Sequence, residues 1–330
     1  MTNLSRFIIL ASLTLTMGCG QSEQPATVPA SEQVNPMKDF GTTAGNVFLY
    51  YEDLDRATKF YTETLGMKIV LDYGFAKMVQ ASPTGFLTLV DHTKGMHSAD
   101  EPKTVALALV MDESQVDGWW EYMRKQDVEF LSEYNPKEGR AHNAFVVVDP
   151  EGYYLEFEVF HDHPENEKLM PILNATESVY PDPDQKHTVP EGLGFKTLVV
   201  WGYYKDMEGI RRFYEDTMGM EMIIDQGWTW IYPTSPSTYI GLVDESRGMH
   251  NFTEDKGVTI SLFTDNISGW YEYLKAGDKM KMKSEELSEE GNGRFTAFVG
   301  YDPANYFLEF DQFNDMADNE DLLKALGKKQ

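Results

Sequence analysis

Two glutamates, Glu156 and Glu309, stand 153 residues apart in matching surroundings, Leu155-Glu156-Phe157 and Leu308-Glu309-Phe310. Side chains alternate across a strand, so a carboxylate between two large apolar residues points to the opposite face from both. Walled by aromatic neighbours, such a carboxyl has a raised pKa, which suits a general base or a hydrogen-bond acceptor for a ligand. The competing use is structural, with the carboxyl bonded to neighbouring strands. Two histidines recur at the same offset, His97 and His250, in the loops Gly95-Met96-His97 and Gly248-Met249-His250. They are candidate ligand contacts or metal ligands. The alternative is a hinge in which Gly makes the turn, Met packs and His caps backbone groups. His142 has Phe295 at its counterpart, and His161 and His163 have Asn314 and Met316, which argues against a local metal clip. Aromatic side chains complete the inventory. Phe48 and Tyr50 share the face of Asn46, Trp201 and Tyr203 share that of Val199, and Trp228 and Trp230 alternate on a later strand with Tyr232 in step. Such surfaces suit capture of a flat or amphipathic small molecule, and they equally suit filling space between packed modules. No glycine-rich phosphate loop or nucleophile elbow stands out.

The elements that must position these groups come in duplicate. Residues 46–173 recur as 199–326: Asp53, Phe60, Tyr61, Gly66 and Met67 match Asp206, Phe213, Tyr214, Gly219 and Met220, and Asp149-Pro150 matches Asp302-Pro303. A repeat of this length is a duplicated domain, not a solenoid unit. Within each copy, the alternation of Val47, Leu49 and Tyr51 with Asn46, Phe48 and Tyr50 predicts a strand with two faces. Asp53 then caps a helix with apolar positions Leu54, Ala57, Tyr61 and Leu65, stopped by Gly66. Strands are expected at 68–72, 76–80 and 86–90, then at 105–110, with a second helix around 116–125 and three more strands ending at 154–160. In the second copy the corresponding helix falls at 269–274. Each copy is therefore two βαβββ units. Leu169, Met170 and Leu173 match Leu322, Leu323 and Leu326, which predicts a short helix appended to both copies.

At 330 residues, with 42% hydrophobic residues, the chain has room for two ordinary domains. The formal charge of −26 argues against nucleic acid or anionic membrane surfaces as partners. Arg6 followed by the apolar run from Phe7 to Met17 reads as a secretory signal, too short to span a membrane as a helix. Leu15-Thr16-Met17-Gly18-Cys19 resembles a bacterial lipobox, departing from it at Thr16. Cys19 is the chain's single cysteine and stands where a diacylglycerol anchor would be attached. With Gly20 following, the expectation is the cell envelope, on the periplasmic side and anchored to the outer membrane. Membrane contact is expected through the lipid alone. The predicted segments are a signal at 1–18, a flexible tether at 19–40, domains at 41–175 and 193–330, and a polar, Pro-containing linker at 176–192.

The segments YYEDLDRATKFYTETLGM and VVVDPEGYYLEFEVF, with their second-copy versions YYKDMEGIRRFYEDTMGM and GYDPANYFLEFDQF, resemble the vicinal oxygen chelate superfamily. That group includes glyoxalase I, bleomycin- and fosfomycin-resistance proteins and extradiol dioxygenases. The resemblance implies an α+β fold of two tandem vicinal oxygen chelate domains. Each is built of paired βαβββ modules forming a curved, cup-like sheet with helices on the outer face. Tandem copies let one chain make the pairing that smaller relatives make as dimers, so a monomer is expected. In the metal-dependent members, His, Gln or Glu side chains in the cup hold a divalent ion that binds two vicinal substrate oxygens. Carried over position by position, the first-strand ligand falls on Asn46 and Val199, the fourth-strand one on Thr88 and Gly241, and the fifth-strand one on Ala106 and Thr259. The last falls on Glu156 and Glu309. Only the last is retained, and one carboxylate is too few for a stable transition-metal site. No metal or other cofactor is therefore expected, and a small-molecule binding protein of the envelope is the primary reading. The alternative is a glyoxalase- or dioxygenase-like enzyme with an atypical divalent-metal site on Glu156 or Glu309.

Overall fold

The first strand of each repeat forms where the alternating pattern demands it. In a computed structural model that describes residues 34–329, module I (44–91) opens with strand Ala44–Tyr51. The helix Leu54–Lys59 and strands Lys68–Asp72, Ala76–Ser82 and Gly85–Asp91 complete the module. The Asp53 side chain caps that helix by accepting the Arg56 N–H, and Gly66 at φ +71° ends it. One feature departs from the simple helix that the sequence suggests. The final turn, Phe60–Thr64, widens to a π-helix, and its counterpart Phe213–Thr217 does the same. In that wider turn the consecutive residues Phe60, Tyr61 and Thr62 are all buried.

Module II (105–160) runs from strand Val105–Val110 through helix Val116–Met123 to strands Glu129–Ser132, His142–Val148 and Tyr154–Phe160. Module III (197–244) has strand Thr197–Tyr204, helix Met207–Arg212 and a hairpin of Thr229–Ser235 with Thr238–Asp244. Module IV (259–313) has strand Thr259–Phe263, helix Ile267–Lys275 and the final pair Phe295–Tyr301 and Phe307–Phe313. Short helices, Leu169–Ala175 and Glu320–Ala325, close the two repeats as the leucine spacing predicts.

Among the described residues the strands form two mixed sheets, of nine and eight strands, and each takes one module from each repeat. The first strand of module I pairs antiparallel with that of module IV, in the register Asn46↔Ser261. The first strand of module II pairs antiparallel with that of module III, in the register Ala108↔Val199. A repeat is thus a unit of sequence, whereas a cup is a unit of space that draws on both repeats. Reciprocal bonds mark the axis that relates the copies. Thr84 N–H donates to Ser237 Oγ at 2.7 Å, and Ser237 N–H donates to Thr84 Oγ1 at 2.9 Å.

The helix-facing side chains of all four modules, among them Val47, Phe157, Leu198 and Phe310, belong to one buried core. Cup-facing residues form separate, smaller clusters. Two connecting segments are more ordered than their composition suggests. The end of the expected tether folds as helix Pro36–Asp39, because Asn35 caps it by accepting from Lys38 N–H and proline suits a first turn. It leads into Phe40, which packs edge-on against Trp270 at 5.7 Å. The linker is pinned to module I through Gln185 Nε2 on the Met67 carbonyl and Thr188 N–H on the Glu63 carbonyl. Cys19 and the signal segment lie outside the described residues.

Candidate functional site

Each sheet curls around a cavity. The cup between modules I and IV encloses about 510 Å³, and the cup between II and III about 490 Å³. Both fall within the size range of small-molecule sites. Strand alternation behaves as the sequence requires. Leu155, Phe157 and Val159 enter the helix-side core, while Glu156 and Glu158 line the II–III cup and Glu309 and Asp311 the I–IV cup.

In the I–IV cup, Phe48 and Tyr50 form part of the wall with Tyr73, Phe295 and Phe313. Thr88 and Glu309 reach the cavity floor, while Asn46 and Thr259 are buried and bonded to its lining. Thr88 Oγ1 donates to Asn46 Oδ1 at 2.9 Å, and the Tyr50 hydroxyl bonds Thr259 Oγ1 at 2.9 Å. Ser261 Oγ donates to Asp311 Oδ2 at 2.5 Å. Asn46 Nδ2, Glu309 Oε2 and Asp311 Oδ1 are buried without hydrogen-bond partners. Burial and the neighbouring Asp311 push the Glu309 carboxyl well above the usual range, and burial pushes Asp311 up to about 6.

The II–III cup is built differently. Trp201, Tyr203, Trp228 and Phe160 supply its aromatic surface. His142 sits on the strand beside Glu158, and its Nδ1 donates to Glu158 Oε1 at 2.6 Å. That bond raises the imidazole to about 9, so the ring carries a proton at neutral pH. Glu156 opens onto the same floor, and burial together with the charge of Glu158 pushes it up to about 8. The Trp201 indole N–H faces it without closing a standard hydrogen bond.

His97 and His250 stand behind the aromatic walls and bridge modules. His97 contacts Tyr50 of module I and Phe307 of module IV, with ring centroids 5.1 and 4.3 Å away, and its Nδ1 bonds Glu101 at 2.8 Å. His250 stacks on Tyr154 of module II at 4.3 Å and meets Tyr203 of module III at 5.1 Å. Burial lowers both pKa values, that of His250 to about 4, and both rings pack among aromatic side chains. Their loops need glycine because a Cβ at Gly95 or Gly248 would collide with the Tyr50 or Tyr203 ring.

Like the two histidines, one predicted tryptophan lies outside the cups. Trp230 faces the helices, donating its Nε1 to Asp225 Oδ1 at 2.9 Å and lying under Arg211. Trp228 precedes the strand, in a turn where Gly227 adopts φ +77°, so the alternation begins only at Thr229 and the two indoles part. Sequence reasoning also passed over Asp311, although the repeat offset aligns it with Glu158, two residues beyond each repeated glutamate. The cations at the II–III cup carry no local signal, because Lys137 and Arg140 on one loop meet Arg247 on another more than a hundred residues away.

A glyoxalase/bleomycin resistance protein/dioxygenase superfamily model matches residues 43–157. A Bacillus subtilis (strain 168) protein, the uncharacterized protein YetH, is 33% identical over 98 residues, 28% of this chain and 80% of its own. The chain belongs to the glyoxalase/bleomycin resistance protein/dioxygenase superfamily. Glyoxalase I from Zea mays shares the fold at a TM-score of 0.55 and 15% identity, covering 86% of this chain and 95% of its own. The superfamily's metal positions do not fit an ion here. In the II–III cup they carry Ala106, Val199, Gly241 and Glu156, and a Cβ at Gly241 would stand inside the Trp201 indole, which fills that side of the floor. In the I–IV cup, Asn46 turns its Oδ1 to Thr88 and leaves an amide N–H₂ unpartnered, a donor that repels a cation. Among the described residues, no group of three His, Cys, Asp or Glu side chains is placed to hold a metal ion.

Proposed function

We propose that this protein binds small aromatic or amphipathic molecules in its two cups without a metal ion. The observation that carries the reading is the replacement of a ligand set by an aromatic floor: Trp201 lies where Gly241 makes room for it. Flat rings gain contact area on Trp201, Trp228 and Tyr203 in one cup, and on Phe48, Tyr50 and Phe313 in the other. The chain works as a monomer that completes both cups internally. Lipidation at Cys19 tethers it to the periplasmic side of the outer membrane; the support is Leu15-Thr16-Met17-Gly18-Cys19. Cys19→Ala is expected to abolish labelling by a palmitate analogue and to release the protein from the membrane fraction.

Metal analysis of the purified protein tests the central reading. The expected result is no stoichiometric divalent ion. A stoichiometric ion that is lost in Glu156→Gln or Glu309→Gln would overturn it. A second reading, metal-free proton transfer, is favoured by the His142–Glu158 pair beside Glu156. An imidazolium and a carboxyl titrating near neutral pH are the components of general acid–base chemistry.

A further inference from the structure

The two cups share a scaffold but not a charge pattern. At the I–IV cup, Lys94 and Lys283 are opposed by Glu290 and by the buried Glu309–Asp311 pair. At the II–III cup, Lys137, Arg140 and Arg247 line the mouth with Glu133, above the two floor carboxyls Glu156 and Glu158. The difference traces to particular exchanges between repeats. Glu290 of the I–IV cup occupies the repeat position of Lys137, and Phe295 that of His142. Inside the II–III cup, the Glu158 carboxylate is already engaged by His142, with Nδ1 and Oε1 at 2.6 Å, so it does not stand as a free charge against an anion. Arg247 places its guanidinium over the Trp228 ring, 4.8 Å from the centroid, beside the aromatic surface. Against a chain with a net charge of −26, this clustering of cations around one aromatic cavity is a local reversal of sign.

We propose that the II–III cup selects anionic aromatic molecules, with the ring held on Trp201 and Trp228 and the anionic group directed to Arg140, Arg247 and Lys137. This rests on the reading of the cups as metal-free aromatic sites and adds the charge of the ligand. The two repeats then serve two ligand classes, because the I–IV cup lacks the excess of cations.

Two fluorescent probes of nearly the same ring system separate the claims: 1-anilinonaphthalene-8-sulfonate, which is anionic, and N-phenyl-1-naphthylamine, which is neutral. Both are titrated into the full folded protein, into Lys137→Ala/Arg140→Ala, whose exposed substitutions leave the core intact, and into His142→Phe. The double variant is expected to weaken the sulfonate by about fivefold or more at low salt and to leave the neutral probe within about twofold. His142→Phe is expected to weaken the sulfonate in the same direction. If the neutral probe binds while the sulfonate ignores the double variant, the charge selection is overturned and the aromatic reading stands. If neither probe binds, both are overturned.

Discussion

At the scale of single residues, the chemistry turns on carboxyl groups held in aromatic surroundings. Glu156 has an ordinary value of 4.5 when exposed and about 8 in the fold, raised by burial and by Glu158. A folded pKa above the unfolded one means that the native state binds the proton more tightly. The stability from this group is therefore complete below pH 4.5 and is lost as the pH rises to about 8. Glu156→Gln is expected to remove that loss, so its Tm should gain on the wild type across this window and run level above it. Parallel Tm curves would show that the carboxyl is not held protonated. Gly241 is the second decisive residue. Gly241→Ala should cost about 1–3 kcal/mol by forcing Trp201 off the floor, read as a lower denaturation midpoint. An unchanged midpoint would mean that the indole does not depend on the missing Cβ.

At the scale of elements, the helices anchor the cups from outside. Trp119, on the helix Val116–Met123, stacks on Phe195 at 4.5 Å and tilts against Phe157 at 5.3 Å, joining module II to the entry of module III. Trp119→Ala should cost about 3–5 kcal/mol in chemical denaturation, the range for loss of a buried indole. A cost under 1 kcal/mol, of the order of an exposed substitution, would place the joint elsewhere. These elements were largely legible in the chain. Strands Lys68–Asp72, Val105–Val110 and Tyr154–Phe160 fall where short apolar or alternating runs bounded by turn residues put them. The floor glutamates were legible because the duplication shows them twice. Trp230 was misplaced, since the strand face depends on where a turn with positive φ releases the chain. The His142–Glu158 bond is a diagonal contact between neighbouring strands, and its register cannot be read from either strand alone.

At the scale of the molecule, the repeat boundary and the cup boundary do not coincide. The first strands of modules I and II find their antiparallel partners only in the other repeat. A single repeat, residues 35–180 alone, would expose both strands as unpaired edges. It is expected to elute as a dimer or larger species in size-exclusion chromatography, whereas a well-behaved folded monomer would contradict the interleaved pairing. The intact chain closes the II–III cup from modules adjacent in sequence and the I–IV cup from modules at its two ends. The II–III cup then presents an aromatic floor, and the I–IV cup aromatic walls, where a metal-dependent relative would present ligands. The most direct test is calorimetric titration of chelator-treated protein with N-phenyl-1-naphthylamine. Saturable binding that is unchanged by added divalent ions, and weakened by Trp201→Ala, is the predicted result. Binding that appears only after a divalent ion is restored would contradict it.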